Sequence, residues 1–224
     1  GDDLVVGGSG SDTIDTGAGV SQDIIVGDEA TLILNSAGQV QSITSISETH
    51  GNGDTITTGE GSDIVIGGRG IDTITTGVGG AGTGGDVVVG DNATLSFTSI
   101  GQLEMIKTTY PLIDSGTVAS DGSTISYDDI ITTGAGDDII VGGLGDDTIK
   151  SNDANVRDVV VGDGVEITLD VSTLEGAPDV YAFTHLPLEI TSIDGAFTGE
   201  DTINTGTGDD LVVGGSGSDT IDTG

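Results

Sequence analysis

Aspartate recurs in this chain at intervals of nine residues, in blocks that are separated by longer stretches. The recurring residues are Asp3 and Asp12; Asp54, Asp63 and Asp72; Asp129, Asp138 and Asp147; and Asp201, Asp210 and Asp219. Two glycines precede most of these aspartates, and a three-residue run rich in Ile, Val or Thr follows each of them. Self-similarity at a fixed period is typical of a repeat architecture, so the repeat constrains the fold more than any other feature.

The nine-residue unit divides into a six-residue turn and a three-residue strand. Three extended residues span about 10 Å, and glycine then allows the positive φ angles that reverse the chain. Two such units make one coil of a flattened solenoid with two sheets, in which equivalent strands stack in parallel and the aspartates align along the two edges. The predicted fold class is therefore all-β, a parallel β-roll or β-solenoid.

The charge of the chain restricts what it can bind. There are 38 acidic and 4 basic residues, with a formal net charge of −34, which excludes nucleic acid and anionic membrane surfaces as partners because both require a basic face. Stacked carboxylates would repel unless cations lay between them. Carboxylate and carbonyl oxygens are the donors that a hard ion such as Ca²⁺ prefers, and the chain has no cysteine for a thiolate site.

The repeat units resemble the calcium-binding nonapeptide G-G-x-G-x-D-x-U-x of the repeats-in-toxin (RTX) proteins, where U is a large apolar residue. Four stretches follow the whole pattern: "GGSGSDTID" at 7–15 and again at 214–222, "GGRGIDTIT" at 67–75 and "GGLGDDTIK" at 142–150. The resemblance covers roughly half of the chain. It implies a β-roll loaded with several calcium ions, each shared between loops one coil apart.

The resemblance also implies the ligands, because RTX calcium is held by loop carbonyls and by the aspartate side chain. Asp54 would share ions with Asp72, Asp129 with Asp147, and Asp201 with Asp219. The other expected ligands are Asp3, Asp12, Asp63, Asp138 and Asp210, and the loop glycines Gly7, Gly8, Gly10, Gly67, Gly68, Gly70, Gly142, Gly143, Gly145, Gly214, Gly215 and Gly217. Secondary candidates are Asp23, Asp86 and Asp158, which end longer loops, and Asp28, Asp91 and Asp163, which end three "VGD" triplets.

The regular spacing stops after each VGD triplet and later resumes. The interruptions, at about 29–52, 92–127 and 164–199, contain strand-like runs around turn-forming residues, as in "ATLILNSAGQVQSITSIS", and predict β-hairpin insertions. The chain then divides into modules at about 7–66, 67–141 and 142–213, with a fourth beginning at 214. We expect one solenoid segment of a longer array.

The strand pattern predicts an apolar outer face on one of the two sheets. The outward residues there are Ile64, Ile66, Ile139, Val141, Leu211 and Val213. An exposed apolar face of this size requires a cover, and the insertions begin beside it. The alternative is that the insertions bind a partner through the aromatic residues in or beside them: Phe97, Tyr110, Tyr127, Tyr181, Phe183 and Phe197.

No catalytic constellation is recognisable. His50 and His185 are the two histidines, and neither accompanies a nucleophile or an orienting acid. We therefore expect a non-enzymatic, calcium-binding structural segment, a stiff spacer or shaft in a secreted or surface-attached bacterial RTX protein such as an adhesin. The resemblance implies type I secretion, extracellular folding on calcium, and flanking repeats as neighbours, without membrane insertion. The alternative function is a binding module whose insertions recognise a surface polymer or glycan.

Overall fold

A computed structural model describes residues 1–46, 52–77, 84–109, 126–151, 156–170, 187–193 and 199–224. His50, His185, Tyr110, Tyr181, Phe183 and Phe197 lie outside the described residues. The described part of the chain is built from strands and turns and contains no helix. Accordingly, no helix among these residues could span a membrane.

Two parallel sheets of seven strands form the solenoid. We call the first the central sheet; in spatial order it contains β1 (Leu4–Val6), β3 (Ile24–Val26), β7 (Ile64–Gly68), β9 (Val87–Asp91), β13 (Ile139–Gly143), β15 (Val159–Asp163) and β19 (Leu211–Val213). The second, the outer sheet, contains β2 (Thr13–Asp15), β6 (Thr55–Thr57), β8 (Thr73–Thr75), β12 (Ile130–Thr133), β14 (Thr148–Ser151), β18 (Thr202–Asn204) and β20 (Thr220–Asp222). Consecutive repeat strands alternate between these sheets, which confirms the predicted β-roll.

The space between the two sheets is filled by one residue from each strand. The second residue of each strand except the terminal β20 lies in this space, and parallel register places like residues on one another: Ile56 pairs with Ile74, and Ile74 with Ile131. These residues meet Val65, Ile140 and their equivalents from the central sheet in one continuous buried cluster. On the outer sheet the first threonine of the strands, such as Thr55, Thr73 and Thr202, is exposed, as the alternating pattern predicts.

The insertions form a third layer, the hairpin sheet. Its six strands are β4 (Ala30–Leu34), β5 (Val40–Ser45), β10 (Ala93–Phe97), β11 (Leu103–Thr108), β16 (Val165–Leu169) and β17 (Pro187–Ser192). Each insertion contributes one antiparallel hairpin. The hairpins also pair with one another, β5 with β10 and β11 with β16, so that three separate stretches of sequence make one continuous sheet.

The hairpin sheet covers the apolar face of the central sheet. Ile64, Ile66 and Val141 are fully buried and Ile139 is 2% exposed. They pack in one cluster with hairpin residues that include Ile43, Leu95, Phe97, Ile106 and Ile167. The predicted cover is confirmed for these positions, and the burial of Phe97 favours packing over partner binding for that aromatic residue.

The predicted cover is wrong for Leu211, which is 40% exposed, while Val213 is partly buried against the cluster. The reason is the position of β19, which is the terminal strand of the central sheet and lies one place beyond β15, the strand from which the last insertion starts. Leu211 therefore has a strand neighbour on one side only. The hairpin residues Val165, Ile167 and Leu169 are buried as their alternation predicts; Val171, expected on the same face, lies outside the described residues.

If the hairpin sheet is an integral layer of the fold, truncating one of its buried side chains should lower the free energy of unfolding as much as truncating a core residue does. We predict that Leu95→Ala, at a fully buried position, lowers the free energy of unfolding by about 2–5 kcal/mol. Ile33→Ala, at a hairpin position that is 56% exposed, should change it by less than about 0.5 kcal/mol. Denaturant unfolding at saturating calcium measures both, and equal small losses would contradict the cover.

Candidate metal centre

The chain passes between the two parallel sheets at two edges, and these edges differ chemically. At the edge we call the glycine edge, glycine follows the first three residues of every central-sheet strand: Gly7, Gly27, Gly67, Gly90, Gly142, Gly162 and Gly214. At the opposite edge, the threonine edge, a hydroxyl residue follows the first three residues of the outer-sheet strands from β2 to β18: Thr16, Thr58, Thr76, Thr133, Ser151 and Thr205. The three insertions all lie on the glycine edge.

A ladder of aspartates runs along the glycine edge. Its members are Asp12, Asp54, Asp72, Asp129, Asp147, Asp201 and Asp219, one per coil. In each pair of neighbours, Oδ1 of the later aspartate accepts a hydrogen bond from the backbone N–H of the earlier one, at 2.7–3.2 Å. The residues expected to share ions, such as Asp129 and Asp147, are adjacent in this ladder.

The threonine edge has an equivalent ladder of Asp3, Asp23, Asp63, Asp86, Asp138, Asp158 and Asp210, with the same backbone hydrogen bonds at 2.7–3.1 Å. Asp23, Asp86 and Asp158 thus occupy the same position as the regularly spaced aspartates. The longer loops before them had made them secondary candidates. The additional residues of these loops come before the aspartate in the sequence, so the aspartate keeps its place in the ladder.

On the glycine edge the second carboxylate oxygen has no protein partner. Oδ2 is buried without a hydrogen bond in Asp12, Asp54, Asp72, Asp129, Asp147 and Asp201. An unpaired carboxylate oxygen in the interior is costly. Its repetition at six successive coils indicates a place for a ligand rather than an isolated defect.

Backbone oxygens converge on the same points. A Cβ atom added to Gly90 would lie within 3.0 Å of both Oδ2 of Asp129 and the carbonyl oxygen of Gly142 on the next coil. Gly7, Gly27, Gly67, Gly142 and Gly162 have the same surroundings. Glycine is therefore required at the first loop position, because a side chain would fill the space where carboxylate and carbonyl oxygens meet. Oxygens of these two kinds are the ligands that Ca²⁺ takes in proteins.

The VGD aspartates lie at the same edge. Asp91 pairs in register with Gly68, and Asp163 with Gly143, so these aspartates take the place that the second loop glycine has in alternate coils. Each accepts a backbone hydrogen bond from the next glycine loop. The donors are the N–H groups of Arg69 for Asp28, at 2.6 Å, Leu144 for Asp91 and Ser216 for Asp163.

Burial makes this edge unfavourable for bare negative charge. It raises the pKa of Asp54 and Asp201 to about 6, of Asp72 to about 8 and of Asp147 to about 9. Burial and then the neighbouring carboxylate of Asp91 raise the pKa of Asp129 well above its usual range. Ionised together without cations, these groups oppose folding.

The threonine edge partly compensates its own charge. The Thr205 hydroxyl donates to Oδ2 of Asp210 at 2.7 Å. The pKa of Asp63 and of Asp138 is likewise raised by burial, and the nearby hydroxyls of Thr58 and Thr133 act in the opposite direction. Oδ2 of Asp63 and Asp138 is nevertheless buried without a hydrogen bond, as on the glycine edge. The threonines that replace the first glycine of the RTX pattern thus bring a hydroxyl near the carboxylate, but among the described residues Thr205 is the only one of these threonines that donates to it.

Sequence reasoning missed a second, more exposed row of acidic residues. Asp128 accepts a hydrogen bond from the N–H of Asp146, and Asp146 accepts one from Glu200, at 3.0 and 2.8 Å. The repeated "DD" pairs at 128–129 and 146–147 were the available signal. Among the described residues, no three acidic or histidine side chains form a closed metal cluster, because each coil contributes its carboxylates singly along the edge.

Comparison with known proteins agrees with this geometry. The profile of the RTX calcium-binding nonapeptide repeat matches four segments, residues 1–29, 51–74, 126–153 and 196–224, which together make up about half of the chain. These segments, which contain aspartates of both ladders, belong to the RTX calcium-binding nonapeptide-repeat family. RTX nonapeptide repeats bind calcium. No curated protein matches the chain, and no solved structure matches it.

The glycine requirement can be tested at Gly142, where an added Cβ would lie within 3.0 Å of Asp147 Oδ2 and of the Gly162 carbonyl oxygen. We predict that Gly142→Ala raises the calcium concentration needed for folding, because the methyl group displaces these oxygens. Gly19→Ala is the control, since its Cβ would meet nothing closer than 3.4 Å. Far-UV circular dichroism during calcium titration measures both, and indistinguishable midpoints would show that Gly142 does not shape an ion site.

The raised pKa values predict how pH acts without calcium. Because the folded-state pKa values exceed the unfolded ones, the folded state binds more protons, and its stability is greatest below about pH 4 and falls as pH rises through about 6 to 9. In calcium-free buffer we expect more β structure by circular dichroism at about pH 5 than at about pH 8. Equal signals at both pH values would contradict a folded state whose aspartates are buried.

Proposed function

We propose that both aspartate ladders bind Ca²⁺ between successive coils and that the ions stabilise the solenoid. The observation that carries this proposal is the row of buried, unpartnered Oδ2 atoms beside converging glycine carbonyls on the glycine edge. The proposed ligands are the fourteen ladder aspartates, together with carbonyl oxygens of the GGxG loops. The VGD aspartates Asp28, Asp91 and Asp163 lie beside the same positions.

The proposed role of the calcium-loaded solenoid is mechanical: a non-enzymatic spacer or shaft, as in an adhesin. The parallel strands stack at about 4.8 Å per coil, and β1 and β19 lie at opposite ends of the central sheet, so the chain advances along one axis. The hairpin sheet adds a second hydrophobic core along most of that axis, which supports stiffness. The chain would be one segment of a longer array, divided into the modules that the sequence predicts.

The proposed location is outside the cell, after type I secretion, as is general for RTX proteins. The physical argument is that the unfolded chain has no preformed ion sites, so the free energy of calcium binding becomes free energy of folding. At low calcium, repulsion among 38 acidic residues keeps the chain unfolded and suited to export. High extracellular calcium then drives folding.

We predict that Ca²⁺ is required for folding and that Mg²⁺ replaces it poorly, because Mg²⁺ demands octahedral geometry and retains its water. Circular dichroism near neutral pH should change from mostly disordered in chelator to β structure at a calcium concentration of about 10⁻⁴–10⁻³ M. Full β signal in chelator would refute calcium-dependent folding. Equal midpoints for the two ions would refute the shared-loop site.

The alternative, a binding function for the insertions, has one observation in its favour. Ile33, Leu34 and Ile100 are about half exposed at the ends of two hairpins that touch, since Asn35 Nδ2 donates to the Ser99 carbonyl oxygen at 3.3 Å. A glycan-array or polymer pull-down with the calcium-loaded protein tests it. Binding that Ile33→Asp and Ile100→Asp abolish would establish a recognition surface; without binding, the spacer role stands.

A further inference from the structure

Each insertion leaves the solenoid and rejoins it at one point of the glycine edge. The second insertion starts after Gly90 and Asp91 and returns at Asp129. A Cβ on Gly90 would come within 3.0 Å of Oδ2 of Asp129. Gly27 meets Asp54 in the same way, and Gly162 meets Asp201. Two chain ends that are far apart in sequence are therefore in contact at each of these three points.

The residue at the start of the insertion adds a buried carboxylate to this point. Asp91 is 1% exposed; one of its oxygens accepts from the Leu144 N–H, and Oδ1 is buried without a hydrogen bond. Asp163 repeats this at the third insertion, with 4% exposure, the Ser216 N–H as donor and Oδ1 unpartnered. The coils that alternate with them have Gly68, Gly143 and Gly215 at this position and so contribute no side chain.

The structure assigns a second role to these positions: we propose that Asp91 and Asp163, and Asp28 at the equivalent position, are calcium ligands beyond the nonapeptide aspartates. The ion at the start of each insertion would then be bound by carboxylates from both ends of that insertion, Asp91 with Asp129 and Asp163 with Asp201. This inference rests on the proposed calcium binding and specifies which of the ions hold the hairpins in place.

Two consequences follow from the additional carboxylate. A site with more negative ligands binds Ca²⁺ more tightly, so the ions at the insertions are retained at calcium concentrations that empty the plain GGxGxD coils. If a substitution weakens this ion alone, the ion no longer joins the two ends of the insertion. The hairpin strands of that insertion then separate from the central sheet while the other coils keep their ions and stay folded.

The test uses the whole chain with Asp91→Asn, which keeps an oxygen for the Leu144 N–H and removes one negative charge. Asp209→Asn, an exposed position outside both ladders, is the matched control for charge. Native mass spectrometry at limiting calcium counts the retained ions, and hydrogen exchange follows the amides of β10 and β11 against those of β9 and β13. Asp91→Gly is the second variant, because glycine already occupies this position in alternate coils and is expected to fold.

For both Asp91 variants we expect one tightly held ion fewer, with binding weakened at least about tenfold, and faster exchange in β10 and β11 at calcium concentrations that still protect β9 and β13. Asp209→Asn should match the wild type. Ion counts and exchange in both Asp91 variants equal to those of Asp209→Asn would overturn this inference alone. A wild-type chain that retains no calcium would instead overturn the proposed function.

Discussion

The inner coils of this protein bury a carboxylate at each of two edges, in a stack whose spacing is fixed by the distance between paired strands. One oxygen of each carboxylate is satisfied by the backbone of the neighbouring coil, and on the glycine edge the other oxygen has no protein partner. Glycine at the first loop position, the convergence of carbonyl oxygens and the raised pKa values are all consequences of this arrangement. The fold can bury so much like charge only if cations accompany it.

The apolar architecture follows from the narrowness of the coil. Strands of three residues direct one side chain inward, so the space between the central and outer sheets holds a single file of Ile and Val. The other apolar residues of the central sheet point away from that file and would be exposed in a bare solenoid. The hairpin sheet converts them into a second and larger core, which makes the insertions structural parts of the fold.

The sequence was sufficient to predict the β-roll and the edge positions of the aspartates, because a period of nine residues with alternating side chains leaves little freedom. The hairpins and their cover followed from the apolar outward residues such as Ile66. Asp86 was predicted only as a secondary calcium ligand because the longer loop before it breaks the nine-residue spacing. The pairing of β9 with its neighbouring strands nevertheless places Asp86 in the ladder. The exposure of Leu211 and the difference between the edges depend on which strands are neighbours, and a one-dimensional period does not contain that information.

The hydrogen bonds of the ladders all point the same way along the axis: an earlier aspartate donates its N–H and a later one accepts it. In each ladder, the first aspartate of a stack therefore has a carboxylate oxygen without a ladder donor, and the last has an N–H group without a ladder acceptor. The more exposed row runs the other way, since the N–H of Asp146 donates to Asp128. The two rows together give the solenoid a direction, and a further coil continues both of them only in the same orientation.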